Sequence, residues 1–219
     1  MAEQQDVISV RDTAYDLFQH VLMSGRLRPG QMVSQRALVE MLNLSIGALR
    51  ELLPRLQAEG LVKVLPQRGI LMPAIDLPMI RNAFQMRGAL EREAVIHAVG
   101  SIPDTVIENQ RRLHLKLIEE VRKAPTPELF EHGQEVDAGF HNLLIGATGN
   151  ELLQNAYKIN AIRIRLIKLD RIKLSETVLP QAFADHIAII DAVAERNVTR
   201  AIEAMDTHIH NARERALQL

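Results

Sequence analysis

The sequence predicts a mainly α protein in two parts. An N-terminal winged helix-turn-helix with a small two-stranded wing comes first, followed by a C-terminal antiparallel all-α bundle of about six helices. Three observations predict this. Residues 7–75 switch quickly between short helical patterns and breaks. Two β-prone runs, LVKVL and ILMPA, flank the turn PQRG. From about Pro78 onward there is no strand pattern, only apolar residues at helical spacing.

The bulk numbers set the frame. A chain of 219 residues is long enough to bury a real core. Aromatic residues make up only 3 % and Trp is absent, so Leu, Ile, Val, Ala and Met must fill that core. There are no cysteines, which excludes disulfides and thiolate metal sites. No apolar run approaches the roughly 20 residues of a membrane span. The polar start MAEQQDVISVRD does not read as a signal peptide, so a cytoplasmic protein with no membrane partner is expected. Net charge is −1. Residues 1–75 carry 8 Lys+Arg against 7 Asp+Glu, and the rest carry 18 against 20, so a nucleic-acid partner must be argued from placed residues.

In the first part, Val10, Ala14, Leu17, Val21 and Leu22 repeat at helical spacing up to Gly25. RLRPGQ is a turn punctuated by Pro-Gly. Ser34 caps a short helix, QRALVEML, and Asn43-Leu44 breaks it. Ser45 caps a third helix through about Ala58, with Leu49, Leu52, Leu53 and Leu56 on its inner face, and Gly60 stops it. Such a tightly joined helix pair lets its second member lie in a DNA major groove. In the second part the predicted helices are about 78–99, 103–123, 127–147, 150–172, 176–195 and 198–217. Pro103, Pro127 and Asn150 mark starts and Gly100 a stop. The domains expected are therefore 1–75, whose joined helices suit DNA, and 76–219, an all-helical bundle.

Helical phase sorts the 8 histidines. His208 falls within the stripe Ala201, Ile202, Met205, Ile209 and Ala212, while His210 lies about 200° away around the helix. His186 lies on the stripe of Phe183, Ile187 and Ile190. Asp137 and His141, one turn apart, border the face of Phe140 and Leu144. Four ligand-type side chains on three helices can thus face one interior. A divalent first-row metal such as zinc, nickel or manganese suits three imidazoles and a carboxylate. Core histidines hydrogen-bonded to backbone are the other reading of the same spacing.

The two halves together resemble a known family. Ser45-Ile46-Gly47-Ala48-Leu49-Arg50-Glu51-Leu52-Leu53, then Leu56 and Glu59-Gly60-Leu61-Val62, is similar to the recognition-helix pattern of the GntR family of bacterial transcription regulators. Asp137, His141, Asn150, His186 and His208 resemble the signature of the FCD effector domain in the FadR subfamily. Arg87-Gly88-Ala89-Leu90-Glu91 resembles that domain's R-x-x-L-E. Six effector helices look more like the VanR-type branch than the seven-helix type. The resemblance implies a dimeric regulator, expected to be a repressor, that binds operator DNA and senses a small organic acid at a metal held by Asp137, His141, His186 and His208. It assigns DNA contacts to Arg36, Ser45, Arg50, Gln67, Arg68 and Gly69, and effector contacts to Arg87 and Arg163. The chain departs from the family at Ile46, where Arg is usual and could pair with a guanine edge or a phosphate. Ile46 can instead touch a thymine methyl or pack within the protein. Two other classes remain open on the residues. A bundle metalloenzyme would turn over a small acid without DNA, and an interaction protein with a structural metal would bind DNA regardless of ligand.

Overall fold

The computed structural model describes residues 10–172 and 175–218. The polar start read above, residues 1–9, lies outside them, as does the side chain of Val10. The chain divides into two compact units, Met1–Asp76 and Leu77–Leu219.

The first unit holds α1 (Val10–Met23), β1 (Met32–Val33), α2 (Gln35–Leu42), α3 (Ile46–Ala58), β2 (Lys63–Leu65) and β3 (Gly69–Leu71). The serines cap as their positions predict. Ser34 accepts the Ala37 N–H and Ser45 the Ala48 N–H, each satisfying a first-turn donor that has no carbonyl partner. Asn43, left-handed at φ 51°, ends α2 and makes the tight turn into α3. Leu38, Leu42, Leu49 and Leu56 are buried with Ala14, Phe18, Val21 and Leu22 of α1. Phe18 is the buried member of that turn of α1, and Leu17 is half-buried beside it. Tyr15 donates to Glu59 Oε2 at 2.5 Å and carries the Arg55 guanidinium 3.8 Å over its ring, fastening α1 to the end of α3.

Both predicted wing strands form, and a third joins them. Met32 and Val33, between the turn RLRPGQ and the cap Ser34, pair antiparallel with Leu71 and Ile70, giving the order β1-β3-β2. Gly69 makes this closure possible. Its φ of 115° is costly for any side chain, and a Cβ there would sit 2.7 Å from the Val33 carbonyl oxygen.

The second unit holds α4 (Leu77–Ser101), α5 (Asp104–Lys123), α6 (Pro127–Gly146), α7 (Glu151–Arg171), α8 (Val178–Ala194) and α9 (Val198–Leu217). All six lie within two residues of their predicted bounds. Thr126, Asn150 and Asn197 cap α6, α7 and α9 through their side chains. Helix α4 touches α6, α7, α8 and α9 through one face, which carries Ile80, Ala83, Phe84, Arg87, Glu91, Ala94 and Val95. That placement puts Arg87 and Glu91, one turn apart, inside the bundle with 2 % and 0 % exposure. A cluster of Leu117, Ile118, Val121, Val136, Leu179, Ala182 and Phe183 forms an apolar core among α5, α6 and α8.

Gly69→Ala should weaken the wing by about 1–3 kcal/mol, the usual cost of forcing a side chain into such backbone. Faster amide exchange at Ile70 and Leu71 would register it, and unchanged exchange would contradict the constraint.

Candidate metal centre and nucleic-acid interface

Four histidines are on the surface: His20, His97, His132 and His210. Four are buried: His114, His141, His186 and His208. His141, His186 and His208 each turn a ring nitrogen to a common point, all within 4.8 Å of one another. Metal–nitrogen bonds of about 2.0–2.1 Å set tetrahedral ligands about 3.3–3.4 Å apart, so the rings need to close by no more than about 1.5 Å.

Hydrogen bonds determine which nitrogen faces that point. His114 Nδ1 lies 2.7 Å from the Gln110 carbonyl oxygen and must donate to it. A neutral His114 then has Nε2 as an acceptor, 3.0 Å from His186 Nδ1. His186 therefore carries its proton on Nδ1 and leaves Nε2 as a bare lone pair. That atom is buried with no hydrogen-bond partner among the described residues. His141 Nε2 accepts from Arg87 Nη2 at 2.7 Å, and its Nδ1 lies 2.9 Å from Glu91 Oε2. His208 Nε2 accepts from the same Arg87 nitrogen at 3.1 Å. Three Nε2 lone pairs thus converge, two of them backed by a carboxylate or an imidazole on the far nitrogen. This is the usual support for metal-ligating imidazoles. The residues fit a divalent ion.

Arg87 is the cation found there. Its guanidinium touches two of the three lone pairs and is anchored through Nε to Glu91 Oε1 at 2.7 Å. Burial alone would raise the Glu91 carboxyl, but the charges of Arg87 and His141 hold it well below the ordinary range. Asp137 stands at the edge, with Oδ1 3.8 Å from His186 Nε2 and Oδ2 2.5 Å from the Lys168 ammonium. Its carboxyl, raised by burial, is likewise brought far down by Lys168, His141 and Arg87. Burial lowers Lys168, and Asp137 opposes that shift. Burial pushes His208 down to about 4 and, with the surrounding positive groups, holds His186 well below the ordinary imidazole value.

A cavity of about 330 Å³ opens beside the cluster, lined by Arg87, Asp137, His141, His208, Lys168 and Arg165 among others. Arg163 is not among its lining residues, whereas Arg165 is. His114, Glu91, Lys168 and Arg165 had no site role in the sequence reading. Phase could have found His114, which repeats with Ile107, Leu117, Ile118 and Val121 on the buried face of α5.

In the first unit, Arg50 projects from α3 into solvent, and Gln67 and Arg68 stand exposed at the tip of the β2–β3 hairpin. Arg36 is 90 % exposed and pairs with Glu40 at 3.1 Å. Ile46, 46 % exposed at the start of α3, does not pack into the core. The Ser45 oxygen is already used as the α3 cap, and its hydroxyl hydrogen is left for another acceptor.

Residues 10–72 match the family described as bacterial regulatory proteins, gntR family, and residues 82–211 match the FCD domain. The chain belongs to the GntR family and carries an FCD domain, which makes it a transcriptional regulator and not an enzyme. GntR regulators bind DNA and FCD domains bind small-molecule effectors and often a metal. It is 30 % identical over 210 residues to an HTH-type transcriptional regulator in an unstable DNA locus of Streptomyces ambofaciens, covering 95 % of this chain and 85 % of that one. It is 25 % identical over 214 residues to the HTH-type transcriptional repressor RspR of Escherichia coli K12, covering 96 % and 90 %. Among solved structures, E. coli McbR/YncC has the same fold, with a TM-score of 0.71 at 19 % identity over 94 % of this chain and 95 % of that one. No described helix is long and apolar enough to cross a membrane.

The buried imidazoles set a pH dependence. An unfolded imidazole titrates near pH 6.5, above the folded values of His186 and His208. As pH falls the unfolded chain protonates first, so stability falls with it. Chelator-treated protein should lose stability between about pH 6.5 and 4, by up to about 3 kcal/mol for His208 alone. Glu91 and Asp137, with depressed folded values, lose their contribution only below about pH 4. Urea unfolding at a series of pH values would measure the slope, and His208→Asn should flatten it.

Proposed function

We propose that the chain is a cytoplasmic, metal-dependent repressor that binds operator DNA as a homodimer through residues 1–75 and releases it when residues 76–219 bind a small organic acid. The observation that carries the effector half is the convergence of three Nε2 lone pairs beside a cation-lined cavity. His141, His186 and His208 would hold the ion, zinc, nickel or manganese, with Asp137 as fourth ligand once Lys168 lets it go. The ion would supply a Lewis-acidic seat for a carboxylate. Arg87 would leave the imidazole nitrogens and turn its guanidinium to that carboxylate, a charge-assisted pair. Arg163, off the cavity wall, would act from the second layer.

On the DNA side, Arg50 is the candidate for a base edge in the major groove and Arg68 for the minor groove. Arg36, Ser45, Gln67 and the Gly69 backbone would position the unit on phosphates. Exposed Ile46 suits a thymine methyl, so the preferred operator should carry a T·A pair where relatives with Arg there accept a G·C. One winged unit makes few contacts, and two related by symmetry double them. Repression is the direction in the names of relatives such as RspR. Acid binding would shift the population of head arrangements that fit the operator.

The test is to select binding sites from random duplexes with the full-length protein and compare variants by gel shift. Wild type should recover two related half-sites. Arg50→Ala should lower specific affinity by roughly ten- to a hundred-fold, the worth of one bidentate base contact, with its thermal unfolding unchanged. Selection of no sequence, or undiminished binding by Arg50→Ala, would sink the assignment.

A further inference from the structure

The cavity holds more cation than anion. Among the described residues, Arg87, Lys168, Arg165 and Arg215 line it against Glu91 and Asp137. Both carboxylates are already committed. Glu91 holds Arg87 at 2.7 Å, and Asp137 holds Lys168 at 2.5 Å. Arg165 and Arg215 have no such match. Arg165 Nε is buried without a hydrogen-bond partner among the described residues. Among the described residues Arg215 pairs with Asp185 alone, at 3.8 Å, and that carboxylate already accepts two hydrogen bonds from Asn211 at 3.2 and 3.1 Å. A further donor, Arg87 Nη1, is also buried and unpartnered, on a side chain only 2 % exposed. Much of the rest of the wall is apolar, with Ala161, Ile164, Leu169, Ile172 and Ala212, and Gln134, Asn142 and Tyr157 add polar groups.

Unpartnered guanidinium donors facing a mostly apolar cavity are costly until an anion reaches them. A monoanion answers one. Two excess cations call for two negative groups, and the aliphatic wall calls for a hydrocarbon middle between them. A divalent ion at the imidazoles adds to the imbalance.

We propose that this cavity takes a dianionic acid, a dicarboxylate with an aliphatic spacer, whose first carboxylate sits at Arg87 beside the three imidazoles and whose second is received by Arg165 and Arg215. The second subsite rests on the reading of this unit as a small-acid sensor and adds to it the ligand's charge and the residues that choose it.

The experiment titrates full-length, zinc-loaded protein with the straight-chain dicarboxylates from malonate to adipate and with monocarboxylates of matching length, by calorimetry. At least one dicarboxylate should bind roughly ten-fold or more tighter than its matched monocarboxylate, the worth of one charge-assisted pair. Arg165→Gln and Arg215→Gln should each erase most of that preference. Arg165→Lys, which keeps the charge, should retain part of it and serves where the glutamine variant is poorly folded. Equal affinity for both series, or a preference that survives in Arg165→Gln and Arg215→Gln, would overturn the second subsite while leaving an acid sensor in place. Binding of no acid of either series would overturn the sensor reading as well.

Discussion

Three imidazole lone pairs aimed at one buried point cannot be left without a cation, and the architecture of the second unit answers to that demand. A bare acceptor in a dry interior loses its water and gains nothing in return. Here Arg87 covers two of the three lone pairs, and His186 Nε2 stays uncovered. Arg87 in turn needs Glu91, since an unpaired guanidinium at this depth would cost several kcal/mol. Helix α4 must therefore turn toward the bundle a face that carries a charged pair among its apolar residues. The bundle is built around a polar centre, with its apolar cluster set to one side.

In the proposed function the same centre would link chemistry to regulation. A divalent ion would compete with the Arg87 guanidinium for the same nitrogens. Loading the ion would free Arg87 for an incoming carboxylate, and Lys168 would be freed as Asp137 turned to the metal. Both cations face the cavity. Metal and acid would then favour each other through shared groups, which is a coupling of binding free energies and needs no long pathway.

Much of this was legible in the chain. Long helices with Pro, Asn and Gly at their ends gave bounds good to two residues, because caps and breakers act locally. Helical phase separated His186 and His208 from His210 for the same reason. Strand β1 was not legible, since two residues carry no period, and its pairing depends on the left-handed Gly69 opposite it. Phase applied to α7 would have favoured Arg165 and Lys168 over Arg163, because Tyr157, Ala161, Ile164 and Lys168 repeat on the cavity side. The tautomer of His186 was beyond any one-dimensional reading. It follows from a relay across two helices, Gln110 to His114 to His186, that only packing brings together.

The account stands on the three Nε2 atoms binding one ion. The most direct measurement is to titrate chelator-stripped protein, purified without a histidine tag, with cobalt(II) and follow the ligand-field absorption. The account predicts saturation at one cobalt per chain with a spectrum of nitrogen and oxygen ligands. It also predicts loss of that signal in His141→Ala, His186→Ala and His208→Ala, while His210→Ala keeps it. No saturable binding, or binding that persists in all three of the buried-histidine variants, would contradict it.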